Sequence, residues 1–135
     1  MKNIFLDSDI ILDALLKRPG FSLPAMNVIA LAHEHNFKLT TSAVVFVNVH
    51  YFLDKFDRAN KFKLLKGLRS AVSIIEINEA IIDSALKSGL IDFEDAVQYY
   101  AAVNANVDVI VTRNTRDYKQ SYIPVLTPEQ FLKTL

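Results

Sequence analysis

Asp108-Val109-Ile110-Val111-Thr112 is the stretch that decides what kind of fold this chain can adopt. Its middle is wholly apolar and offers no face to water. It therefore belongs to a strand covered on both sides, as strands are at the centre of a parallel sheet. Parallel neighbours require helical crossovers, and the chain on either side supplies them. Upstream, Asp92 stands at a helix-capping position ahead of Ala96, Val97, Tyr100, Ala101 and Val103, which recur at helical spacing. Downstream, Ile123–Leu126 predicts a short last strand. Thr127-Pro128, with Gln130 completing a capping pattern, then opens a terminal helix.

The same alternation runs back to the N-terminus. Residues 3–6 (Asn-Ile-Phe-Leu) predict a buried strand ending at Asp7, and Ile10, Ile11, Ala14 and Leu15 share one face of a short helix stopped before Pro19-Gly20. Ser22 and Pro24 begin a helix carrying Ala25, Val28, Ile29 and Ala32 that ends near Asn36. Phe37–Thr40 predicts the second strand, and Ser42 caps a helix from about Ala43 to Lys55. A helix from Arg58 to Arg69 follows, with Phe62, Leu65 and Leu68 expected inward. Val72–Ile77 predicts a third strand, and Glu79–Lys87 a helix broken by Ser88-Gly89. No linker, repeat or low-complexity segment interrupts this order. The expectation is a single α/β domain over residues 1–135, in three layers, with a central, mostly parallel sheet of four to five strands flanked by helices.

Composition narrows the function classes. An apolar fraction of 51% with 22% charged residues excludes a disordered chain. The 15 basic and 15 acidic side chains cancel, so bulk positive charge does not mark the chain as a nucleic-acid binder, although a local basic groove remains open to it. The absence of cysteine removes disulfides, a thiol nucleophile and cysteine-ligated zinc. The opening MKNIFLDSDI meets Asp7 too soon for a signal peptide, and no stretch approaches membrane-spanning length. A soluble, cytoplasmic protein without membrane association is expected.

In an open parallel sheet, ligands bind beyond the carboxyl ends of the strands. Strand one ends in Asp7-Ser8-Asp9 and strand four in Thr112-Arg113-Asn114-Thr115-Arg116-Asp117. The helix start Asp92-Phe93-Glu94-Asp95 reaches the same edge if that helix runs antiparallel to the strands. Carboxylates from separate segments can share one crevice only if their repulsion is neutralised, and a hard cation such as Mg²⁺ or Mn²⁺ does this with oxygen ligands.

These segments, Phe5-Leu6-Asp7-Ser8-Asp9, Asp92-Phe93-Glu94-Asp95-Ala96 and Thr112-Arg113-Asn114 to Asp117-Tyr118, resemble the PIN-domain family in order and spacing over essentially the whole chain. The family includes metal-dependent ribonucleases, among them VapC-like toxins of bacterial toxin–antitoxin pairs. The resemblance implies RNA as substrate, Mg²⁺ or Mn²⁺ as cofactor, an antitoxin partner and a homodimer. It implies Asp7, Asp95 and Asp117 as catalytic and metal-holding acids, with Asn48, Thr112 and Asn114 beside them. Arg113 and Arg116 flank the crevice as candidate phosphate contacts. Two positions depart from the family pattern. Many members carry glutamate six residues after a serine like Ser42, where this chain has Asn48, and an acid two residues after the threonine, where it has Asn114. Asp9, Asp92 and Glu94 are the candidates to make up the lost charge.

Each of these residues also has a structural explanation. Asp7 and Asp92 can serve as helix caps, Asp95 can favour the helix dipole, and Asp117 can be a turn residue. The basic residues Lys55, Arg58, Lys61, Lys63, Lys66 and Arg69 suit a solvated face or an RNA-positioning surface. His33, His35 and His50 lack metal-ligand spacing, and Tyr51, Phe52, Tyr99 and Tyr100 are expected to pack. Two other functions compete: a catalytically reduced PIN-like module that binds RNA or a protein partner, and a haloacid-dehalogenase-like phosphatase, whose opening Asp7-Ser8-Asp9 also resembles. Those phosphatases need a later lysine and an acidic pair in frame, and Thr112-Arg113-Asn114 fits the PIN pattern better.

Overall fold

The computed structural model describes residues 1–90, 92–118 and 121–135. Five strands form one sheet in the order β3-β2-β1-β4-β5, and every neighbouring pair is parallel. They are β1 (Asn3–Leu6), β2 (Lys38–Ser42), β3 (Ser73–Ile75), β4 (Val109–Val111) and β5 (Val125–Leu126). β1 lies at the centre: Ile4, Phe5 and Leu6 are fully buried and aligned with Val109, Ile110 and Val111 on one side, and Asn3, Ile4 and Phe5 are aligned with Lys38, Leu39 and Thr40 on the other. Among the described residues seven helices cover the sheet: α1 (Ser8–Leu15), α2 (Ser22–Glu34), α3 (Ala43–Phe56), α4 (Lys61–Ala71), α5 (Glu79–Lys87), α6 (Phe93–Asn104) and α7 (Pro128–Leu132). α1 packs on α2 and α3, α2 on α7, and α3 on α4, while α5 and α6 pack together. The result is the expected three-layer α/β architecture.

Local chemistry sets the helix starts. Asp7, Ser42, Asn78, Asp92 and Thr127 each accept a backbone N–H of the turn they open, satisfying donors that a helix cannot pair internally. Thr127 and Gln130 complete a reciprocal capping box. Three of these caps, at Asp7, Ser42 and Asp92, carry polar side chains into the region beyond the strand ends.

β3 (Ser73–Ile75) is shorter than the expected Val72–Ile77 and β5 (Val125–Leu126) shorter than Ile123–Leu126, and two further details differ from expectation. β2 continues past Thr40 through Ser42, because its hydroxyls are satisfied inside the sheet: Thr40 Oγ1 donates to Asn3 Oδ1 at 3.0 Å and Thr41 Oγ1 to the Leu6 carbonyl at 3.0 Å. Phe62 is 60% exposed rather than inward. Residues 58–60 form a tight 3₁₀ turn, so α4 starts only at Lys61, and its inward stripe falls on Leu64, Leu65 and Leu68. Phe62 instead stacks on His50 and lies under the Lys61 ammonium. Among the described residues no helix is long and apolar enough to cross a membrane.

Candidate active site

The strand order reverses direction between β1 and β4, which makes their adjacent carboxyl ends the switch point of the sheet. There the Asp7 N–H donates to the Val111 carbonyl at 3.1 Å, locking the two strand ends together. The Asp7 side chain is 9% exposed. Its Oδ1 accepts the Ser8 N–H at 2.7 Å, and its Oδ2 accepts the Thr112 hydroxyl at 3.0 Å and the Tyr118 hydroxyl at 3.2 Å. Burial pushes its carboxyl above the usual range; the hydrogen bonds oppose that, and the charge of Asp117 adds to it. In the same way burial, and then the Asp7 charge, raises Tyr118 far above an ordinary phenol, so it donates as a neutral hydroxyl.

Asp9, two residues on, ties down the segment after β4. Its Oδ2 accepts the Arg113 N–H at 3.0 Å and lies 3.4 Å from both Thr112 Oγ1 and Asn114 Nδ2. A hydroxyl has one proton, so Thr112 serves Asp7 at 3.0 Å and only brushes Asp9. Thr112 Oγ1 also accepts the Asn114 N–H at 3.1 Å. Asp9 Oδ1 is buried without a hydrogen-bond partner among the described residues. Burial, and next the Asp7 charge, pushes the Asp9 carboxyl up to about 6.

α6 brings the third segment to this edge. Asp92 caps it by accepting the Asp95 N–H at 3.0 Å. The Asp95 carboxyl is pushed up to about 7 by burial and by the charges of Asp92, Asp117, Asp7 and Glu94. Glu94 is raised by burial and by Asp92 and Asp7, and is steadied by the Asn48 side-chain amide, which donates to its Oε1. Asp117, exposed on a 3₁₀ turn (Thr115–Tyr118), is held by its N–H to the Asn114 carbonyl at 3.0 Å. The fold thus brings Asp7, Asp95 and Asp117 from three segments into one another's electrostatic field, with Asn48, Thr112 and Asn114 around them.

The arginines separate. Arg116 is exposed. Arg113 does not stand free for a phosphate: its Nη2 donates to Asp13 Oδ1 at 3.0 Å, and its Nε lies 2.8 Å from Asp13 Oδ2 as a charge contact. Asp13 is 1% exposed and also meets Arg18 at 3.4 Å, while the Arg113 guanidinium covers the Phe21 ring at 4.0 Å. Of the basic residues between 55 and 69, Arg58 and Lys61 pair with Asp54. Sequence inspection passed over Asp13, Tyr118 and Gln98. Gln98 is 1% exposed and accepts the Ser42 hydroxyl, joining the end of β2 to α6. Its signal was available, since an amide in the middle of an apolar helical face needs a partner.

The carboxylates of Asp7, Asp9, Glu94 and Asp95, hard oxygen donors that hold protons above their ordinary range, gain from a divalent cation. The buried, unpartnered oxygen of Asp9 is further capacity of that kind. The donor set therefore fits Mg²⁺ or Mn²⁺. Among the described residues no three acidic or histidine side chains are grouped closely enough, as placed, to hold an ion.

The chain matches the PIN domain family over residues 3–116. It is 25% identical to Ribonuclease VapC1 of Aquifex aeolicus (strain VF5), covering 96% of this chain and 93% of that protein. Among solved structures it resembles VapBC2 from Rickettsia felis bound to a DNA fragment from their promoter, with a TM-score of 0.71, 20% identity, and 92% of this chain and 96% of that chain covered. It also resembles a toxin–antitoxin complex from Klebsiella pneumoniae, with a TM-score of 0.66, 21% identity, and coverage of 93% and 97%.

Proposed function

The chain belongs to the PIN domain family, and from that premise we propose that it is a divalent-metal-dependent endoribonuclease, the toxin of a toxin–antitoxin pair. Its 135 residues would act as one catalytic domain in the cytoplasm, as a homodimer silenced by an antitoxin protein. The ribonuclease name of its A. aeolicus relative supports the activity, and the K. pneumoniae complex it resembles supports the partner. The observation that carries the proposal is the buried Asp7 carboxylate at the β1–β4 switch point, coupled to the charges of Asp95 and Asp117.

Asp7, Asp95 and Asp117 would hold Mg²⁺ or Mn²⁺, which when bound polarises the scissile phosphate and acidifies an attacking water. The remaining work belongs to the chain itself. Thr112 and Tyr118 fix the orientation of Asp7 by donating to its Oδ2, leaving the carboxylate no freedom to turn away from the crevice. Asn48 orients Glu94, the acid best placed to replace the charge absent from α3. Asn114 spends its amide on Asp9. Arg116, exposed beside Asp117, is the phosphate contact, and Arg113 supports the segment from beneath.

The test is cleavage of single-stranded RNA with Mn²⁺ or Mg²⁺, comparing wild type with Asp7→Asn, alongside Mn²⁺ binding by calorimetry. Loss of both cleavage and binding in the variant is expected. A wild type that binds no metal and cuts no RNA refutes the nuclease and favours the reduced binding module, which Asn48 and Asn114 otherwise recommend.

A further inference from the structure

Four of the chain's five tyrosines come together in one place. A cavity of about 470 Å³ lies beside the acidic crevice and shares Asp117 and Tyr118 with it; Leu90, Tyr99, Tyr100 and Tyr122 complete most of its wall. Its size suits a small ring system. Tyr99 and Tyr118 are buried. Tyr99 and Tyr100 meet edge to face, with centroids 5.2 Å apart and planes at 71°. Tyr122 is 96% exposed. Its ring contributes almost nothing to the core, yet its backbone is held in place: the Tyr122 N–H donates to the Tyr99 hydroxyl at 3.2 Å. That bond uses an acceptor position of Tyr99 and leaves its own proton to give.

We propose that this cavity is a nucleobase subsite, which takes one unstacked base of the RNA next to the scissile phosphate. The proposal rests on the ribonuclease function above and extends it to how the strand is held. A base entering here stacks on Tyr122 and Tyr100 and finds a hydroxyl donor at Tyr99. Aromatic faces hold single-stranded bases in this way whatever the base, and edge donors then select among them. The position beside Asp117 is what assigns the cavity to RNA: a base seated in it leaves its own phosphate at the acids. It also gives a chain with zero net charge a means of gripping RNA that does not depend on a basic surface.

The test measures fluorescence anisotropy of a short single-stranded RNA in EDTA, with an abasic site moved along it one nucleotide at a time. Wild type should lose about tenfold in affinity at one position, the stacking of one base. Tyr122→Ala should lose the same factor on intact RNA and nothing more when the abasic site stands at that position. Tyr122→Phe should bind like wild type. Because Tyr122 is exposed, these variants keep the fold, which circular dichroism checks. If RNA is bound and cut but no position responds and Tyr122→Ala binds normally, the subsite is wrong and the nuclease stands. If wild type neither binds nor cuts RNA, both fail together. If Tyr122→Ala instead shifts the sedimentation coefficient and leaves RNA affinity unchanged, the cavity receives a second copy of the chain, and the base subsite is overturned.

Discussion

Asp13→Ala should destabilise the protein more than any change to the acids of the crevice. Asp13 is buried and meets Arg113 at 2.8 and 3.0 Å and Arg18 at 3.4 Å. Removing one partner of a buried ion pair costs about 3–5 kcal/mol, because the other charge is stranded. Here the arginine side chains keep 31% and 32% exposure, so water reaches them once released, and the figure falls to about 2–3 kcal/mol. For a chain of 135 residues that is a Tm lower by roughly 7–10 °C. The assay is urea unfolding of wild type, Asp13→Ala, Arg113→Met and the double variant. The double variant should be more stable than the sum of the single losses by about 2 kcal/mol, since it leaves no stranded charge on that pair. Additivity within about 0.5 kcal/mol would refute the reasoning. The effect should also reach the site, because the same Arg113 donates its N–H to Asp9.

Metal-free stability should fall as pH rises. Asp9 and Asp95 hold carboxyls raised from 3.8 to about 6 and about 7, so the folded state binds protons that the unfolded chain has already released. The contribution is fully present below the unfolded value and is lost through those two pH values; a urea midpoint higher at pH 8 than at pH 5 would contradict it. Added Mn²⁺ should recover stability at pH 8 far more than at pH 5, since only deprotonated carboxylates bind it, and thermal shifts at the two pH values measure this. Thr112→Val removes the hydroxyl that serves Asp7 and the acceptor of the Asn114 N–H, so it should cost about 1–3 kcal/mol in urea unfolding and lower kcat while folding persists. Asn48→Glu, which places a carboxylate beside Glu94, should tighten Mn²⁺ binding by about tenfold in calorimetry while lowering metal-free stability; weaker binding would remove Asn48 from the site.

What was legible in the sequence follows the range of the interactions involved. The apolar runs of β1 and β4 and the caps at Asp7, Ser42, Asp92 and Thr127 are local patterns, written within a few residues of where they act. They were enough to place β1 and β4 and to bring the α6 start to the strand ends. The end of β2 was missed because Thr41 and Ser42 look like loop residues until the Leu6 carbonyl accepts the Thr41 hydroxyl and Gln98 of α6 accepts that of Ser42. Arg113 reads as a phosphate contact from its position alone. Its commitment to Asp13 spans a separation of 100 residues and leaves no local trace. The same holds for Tyr118, whose hydroxyl finds Asp7 across 111 residues. Phe62 was misread through helix phase, which shifted when the preceding turn tightened.

The bonds from Thr112 and Tyr118 to Asp7 also carry a consequence in time. They join positions separated by 105 and 111 residues. A ribosome needs roughly 5–20 s to synthesise that much chain. Throughout that interval the nascent protein already displays Asp7, but neither β4, which receives its N–H, nor the hydroxyls that orient it have been made. A ribonuclease, as proposed above, would be built beside the messenger that encodes it. On the ribonuclease reading proposed above, closing the site with segments made so long after Asp7 would keep the growing chain harmless to its own translation.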